Sequence, residues 1–127
     1  MSLQELIRQI EAAEGADRSL DIEIAQQVGY KKKVEYVERE GSKETVRTVV
    51  WADPLNGEFG KVPQFTASVD RAHDLALLID PVSLGGVSWE ESGSVARINN
   101  GPYHRASTPA LALCAAALGA KLWSSNN

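Results

Sequence analysis

Two histidines, one cysteine and seventeen carboxylates are the groups of this chain that could move a proton, hold a metal or attack a carbon. The most suggestive arrangement is Tyr103-His104-Arg105, which follows the turn residues Asn99-Asn100-Gly101-Pro102 and precedes Thr108-Pro109. Thr108 is a natural helix cap, and proline suits the first helical position, where no amide donor is needed. A helix N-terminus presents free amides and a partial positive charge, which favour anions. Arg97 and Arg105 would add charge there, and Tyr103 would offer a ring for stacking. Arg97, Tyr103, His104, Arg105 and Thr108 are therefore the candidate site for a small anionic or nucleotide-like ligand. The simpler alternative packs Tyr103 at a sheet rim and pairs Arg105 with a carboxylate. A small enzyme is favoured if His104 lies close to a carboxylate such as Asp70 in a cleft.

The other reactive groups have plainer readings. Cys114 sits between Leu113 and Ala115 in an apolar helix, so it reads as a buried small hydrophobe rather than a reactive thiol. His73 is expected on the polar or flanking face of its helix. Glu11, Glu14, Asp17, Asp21 and Glu23 gather at the first helix–helix corner, where caps and solvated faces explain them; their spacing matches no calcium loop. Lys31-Lys32-Lys33 could touch phosphates, but Glu35, Glu38 and Glu40 follow at once, which suits a solvated strand entrance. No Gly-Lys-Ser/Thr, Gly-x-Gly-x-x-Gly or Gly-x-Ser-x-Gly motif occurs. No metal site and no cofactor is implied. Trp89 is expected to face a helix in the core. Trp51 and Trp123 are either core residues or exposed interface anchors, where tryptophan is enriched.

The elements that must position these groups follow from patterning. Ser2-Leu3-Gln4-Glu5 is a capping box. Leu3, Leu6, Ile7, Ile10 and Ala13 continue it as one apolar helix face, and Gly15 stops it. Asp17 caps a second short helix with Leu20, Ile24, Ala25 and Val28 on one face and Gly29 at its end. Segments 33–39 and 44–52 are rich in β-branched and aromatic residues and form a hairpin around Glu40-Gly41-Ser42-Lys43. Residues 53–63 form a Pro/Gly loop, and Phe65-Thr66-Ala67 is short and extended. Ser68 caps a helix over 69–79, with Val69, Ala72, Ala76 and Ile79 inward, and Asp80-Pro81 ends it. A second hairpin, 87–90 with 94–98, turns at Glu91-Ser92-Gly93. Residues 103–106 add a short extended piece. The last helix, 109–122, is apolar nearly all round and must be buried on more than one side. Ser124 to Asn127 should fray.

This order, α-α-β-β-α-β-β-α with mostly antiparallel strands, defines an α+β fold layered as helix, sheet, helix. The 127 residues make one domain, with 30–64 as a candidate hairpin-and-loop insertion. A hydrophobic fraction of 43% supports a core without staples, and a single cysteine excludes an internal disulfide. The balance of 13 basic against 17 acidic residues argues against a nucleic-acid partner. No apolar run reaches the roughly 18 residues a membrane span needs. The polar start, Met1 to Gln9, is unlike a signal peptide, so a soluble cytoplasmic protein is expected.

Three blocks of this sequence resemble the phage ABA sandwich domain family. The first is Ile10-Glu11-Ala12-Ala13-Glu14-Gly15-Ala16-Asp17-Arg18-Ser19-Leu20-Asp21, followed by Ile24-Ala25 and Gly29. The second is Phe65-Thr66-Ala67-Ser68-Val69-Asp70 with Trp89 on the next strand. The third is Ala106-Ser107-Thr108-Pro109-Ala110-Leu111-Ala112-Leu113-Cys114-Ala115-Ala116-Ala117-Leu118. The resemblance implies a three-layer α/β/α sandwich and a phage or prophage setting, in the host cytoplasm, with no assigned activity. Together with the lack of a catalytic motif, it implies an accessory protein that acts by binding. The leading partner is a protein, either a host factor or another copy of the chain. Sequestering a small anionic ligand or nucleotide signal is the alternative, and a small enzyme the third class.

Overall fold

The computed structural model describes residues 1–38, 40–41 and 44–125. Four helices and six strands follow the order α1 (Leu3–Ala12), α2 (Arg18–Gln27), β1 (Lys31–Glu38), β2 (Thr45–Ala52), β3 (Phe59–Gly60), α3 (Val69–Ile79), β4 (Gly85–Glu90), β5 (Gly93–Ile98), β6 (His104–Ala106) and α4 (Pro109–Ser125). The fold is α+β. Each of the four expected cap residues accepts a first-turn amide. Ser2 accepts the amide of Glu5, Asp17 those of Ser19 and Leu20, Ser68 that of Arg71, and Thr108 that of Leu111. Each bond satisfies a donor that the first turn leaves open.

The strands form two separate antiparallel sheets, β1-β2-β3 and β4-β5-β6. The single sheet of the expected sandwich is thus divided, and the layering differs with it. In β5, Ser94, Ala96 and Ile98 are buried while Val95 and Arg97 between them are half-exposed, so only one face of this sheet is packed. That face lies on α4, and α4 in turn packs on α1 and α3. The order is sheet, central helix, outer helices. This explains why every residue of α4 from Ala110 to Gly119 is buried.

Several local expectations need correction. The loop over 53–63 contains β3, whose Phe59 and Gly60 pair with Ala52 and Trp51 of β2. Phe65-Thr66-Ala67 is a turn closed by the Ala67 amide on the Gln64 carbonyl, not an extended segment. In α3 the inward residues are Ala72, Leu75 and Ala76, with Ile79 half-buried; Val69, in the first turn, is exposed. The last helix continues through Ser125, three residues beyond its expected end, with the hydroxyls of Ser124 and Ser125 donating to the Lys121 carbonyl. Residues 126 and 127 lie outside the described residues. So do Arg39, expected in the first strand, and Ser42 and Lys43 of the first hairpin turn. The pairing of Lys31 with Ala52 through Glu38 with Thr45 gives the hairpin itself.

Segments 10–21, 65–70 and 106–118 meet in the core. Asp21 is 2% exposed, and its Oδ1 accepts both the Thr66 amide (2.8 Å) and the Thr66 hydroxyl (2.7 Å). Its Oδ2 accepts Arg18 at 3.1 Å, and Arg18 also donates to the carbonyls of Val62 and Pro63. The Cys114 thiol donates to the Phe65 carbonyl at 3.2 Å. Asp21 therefore does not belong to a solvated face; it ties α2 to the turn that leads into α3.

Candidate functional site

The five residues proposed for an anion site do not converge. β6 is extended, so successive side chains point to opposite faces. Arg105 pairs with Val95 and faces outward, whereas His104 pairs with Ala96 and faces α4. Thr108 serves as the cap of α4, the helix that packs on β5 and β6, and does not line the hollow that Arg97 and Tyr103 share. Two of the five do meet. Arg97 donates from Nε to the Gly101 carbonyl at 2.8 Å, and its guanidinium carbon lies 5.0 Å from the centre of the Tyr103 ring. One terminal nitrogen reaches the Tyr103 hydroxyl at 3.5 Å.

This pair forms one wall of an open hollow of about 780 Å³ on the unpacked face of the second sheet. Leu84, Gly86, Ser88, Val95 and Asn99 complete the part that matters here. Leu84 (79% exposed) and Tyr103 (69%) stand at its rim. The rim is held by Asn99, a residue in the left-handed region (φ 52°) that asparagine tolerates. Its Oδ1 accepts the Leu84 amide, its own amide donates to the Leu84 carbonyl, and its Nδ2 donates to Asp80. The loop after α3 is thereby fastened to the end of β5. Among the described residues, Arg97 is the one charged residue lining the hollow. Such a surface offers an aromatic, an arginine and apolar edges, the composition of a protein contact.

His104 lines a second, smaller cleft of about 250 Å³ between α1 and the end of α4, with Gln4, Ile7, Arg8, Glu11 and Trp123. Its Nδ1 lies 3.7 Å from Glu11 Oε2, too far for a hydrogen bond, and neither buried ring nitrogen has a hydrogen-bond partner. The ring packs on Gly119, where any side chain would overlap Nε2. The carboxylate near His104 is thus Glu11, 93 positions away, and not Asp70; no local spacing could reveal it. The cleft holds an imidazole and a carboxylate but, among the described residues, no hydroxyl or thiol nucleophile in its lining.

The tryptophans exchange roles. Trp51 is 8% exposed and belongs to the core, so it is not an interface anchor. It lines a cleft with Val62 and with Arg18, Ile22 and Gln26 of α2. Trp89 is 73% exposed, because β4 is an edge strand and its hairpin end is not covered. Trp123 is 52% exposed at the mouth of the His104 cleft. His73 is exposed, and Cys114 is fully buried. Burial, with a smaller contribution from Asp21, pushes the Cys114 thiol far above its ordinary range. Among the described residues no cluster of three or more His, Cys, Asp or Glu could hold a metal, and no helix is long and apolar enough to cross a membrane.

Comparison with protein-family models, with curated proteins and with solved structures finds no match to this chain.

Proposed function

We propose that this chain is a binding protein, an accessory factor of the phage or prophage kind that its three sequence blocks resemble, acting in the host cytoplasm on a protein partner. The observation that carries the reading is the uncovered face of the β4-β5-β6 sheet, with Arg97 held over Tyr103 and Leu84 at the rim. A small anion would need several converging donors, and among the described residues Arg97 is the one charged group in the hollow. An extended protein segment fits better: apolar groups would cover Leu84 and Val95, and an acidic group would reach Arg97. Interface energy concentrates on such buried aromatic and arginine anchors.

The test places a photo-crosslinking phenylalanine analogue at position 103, or at exposed Leu55 as a control, in a bacterial host. A discrete crosslinked species is expected from position 103, absent from position 55, and lost when Arg97→Ala is added. Identical patterns from both positions, or none from position 103, would rule the surface out.

One observation favours a second reading. The His104–Glu11 pair in its cleft is the arrangement a ligand-binding or hydrolytic site would use. Native mass spectrometry of the protein as purified from cells tests it. A retained mass, lost in His104→Ala, would support this reading; a bare chain mass in both proteins would remove it.

A further inference from the structure

The free edge of β1 is the surface with the most specific pattern. Among the described residues, β1 pairs with β2 on one side only, and its other edge ends the sheet. Most of its residues are exposed. The β1–β2 ribbon also leaves Tyr36 (70% exposed), Val37, Val46 and Val49 in solvent. A long open edge is a template for a further strand, and lysines on it discourage arbitrary partners. Here the strand reads Lys-Lys-Lys-Val-Glu-Tyr-Val-Glu, basic at its start and acidic at its end. Antiparallel pairing with an identical strand sets the basic half of each against the acidic half of the other.

Backbone geometry narrows the register. Along a strand, alternate residues point their amide and carbonyl groups at one neighbour and then the other. Two copies related by a two-fold axis can exchange hydrogen bonds only if the paired residue numbers add to an even sum, so the axis passes through a residue. Centring on Lys33 sets Lys33 against itself, and centring on Glu35 sets Glu35 against itself; like charges directly opposite are unfavourable. Centring on Val34 gives Val34 opposite Val34, Lys33 opposite Glu35 twice, and Lys32 opposite Tyr36 twice. In the single chain, Lys33 Nζ already reaches Glu35 at 3.2 Å and lies 4.7 Å from the Phe59 ring centre, so these side chains can adopt ion-pair and ring contacts.

We infer that two copies of this chain associate through their β1 edges, in antiparallel register centred on Val34. The partner is a second copy, and the two three-stranded sheets become one six-stranded sheet. This two-fold contact is self-complementary, as closed dimers require. It uses a different sheet from the hollow at Arg97 and does not depend on it.

The test uses the full chain. Sedimentation equilibrium should show a mass doubling from 13.7 kDa as concentration rises. Glu35→Lys should weaken the dimer at least about tenfold, because Lys33 would then meet a lysine in both pairs. Reversing both charges (K33E with E35K) should restore it, which a general loss of folding would not allow. Cysteines placed singly at 33, 34 and 35, then oxidised, report the register: position 34 should give disulfide dimers and the other two should not, since Cys114 is buried. A monomer at all concentrations up to about 1 mM would overturn the proposal. So would equal crosslinking at the three positions, or failure of the double charge reversal to restore association.

Discussion

Cys114 shows what burial does to one group. Its thiol donates to the Phe65 carbonyl, and burial raises its ionisation far above the ordinary range near 9. The native thiol should therefore resist iodoacetamide at pH 8 and react only after unfolding. The sign for stability follows. A raised folded pKa leaves stability intact below the unfolded value and removes it as pH climbs past that value. From about pH 8.5 upward the unfolded chain ionises and the folded one does not, at a cost of about 1.4 kcal/mol per pH unit. Urea unfolding at pH 7, 9 and 10 should show this decline, and Cys114→Ala should flatten it. Tyr30, raised first by burial and then by Asp53, adds a second loss that begins above pH 10 and survives in that variant. A second residue-scale case is Asp21. Thr66→Val should cost about 1–3 kcal/mol, since a buried acceptor loses its hydroxyl donor. Asp21→Ala should cost more, since it strands the buried Thr66 amide and removes the carboxylate partner of Arg18, whereas the Thr66 hydroxyl keeps the Asp17 carbonyl; urea midpoints would rank the two.

At the scale of elements, the three tryptophans report three strands or helices separately. Trp51 on β2 is in the core, while Trp89 on β4 and Trp123 on α4 are open. Acrylamide should quench the last two readily, and a Trp89→Phe/Trp123→Phe double variant should leave only a blue-shifted, protected emission. If that variant quenched as readily as the parent, the burial of Trp51 would be wrong. The same comparison marks where sequence legibility stops. Helix spans, caps and hairpins were readable because they depend on neighbours within a turn: Ser2, Asp17, Ser68 and Thr108 all cap as their spacing requires. Alternation in β4 put Trp89 on the same face as Val87, and Trp89 does share that side of the sheet, opposite buried Ser94. Whether a helix covers it there depends on where α4 ends up, which no local pattern carries.

Across the whole molecule, stability should be uneven. α4 lies in the middle of the core and β5 packs one face on it, whereas most of the β1–β2 ribbon is exposed on both faces. Opening free energies follow buried contact. In dilute solution, hydrogen exchange should be fast along Val34–Glu38 and Thr45–Thr48, and slowest in Ala112–Ala117. Comparable protection in both segments would contradict this division. An isolated two-stranded hairpin is marginal in water, so the ribbon gains from β3, from Trp51 at its base and, by the inference above, from a second copy.

What this sequence determined by itself is the set of pieces. Cap residues, glycine stops and apolar periodicity act over three or four positions, so the α+β order and the burial of α4 and Cys114 were legible. The face each β6 side chain takes was implicit in strand alternation, which separates His104 from Arg105 once β6 is known to pair with β5. Only the tertiary structure could bring Glu11 beside His104, set Asp21 under Thr66, or split the strands into two sheets. Those contacts join residues about 45 to 93 positions apart. They are fixed by which apolar faces must be buried together, a property of the packed chain that no short stretch contains.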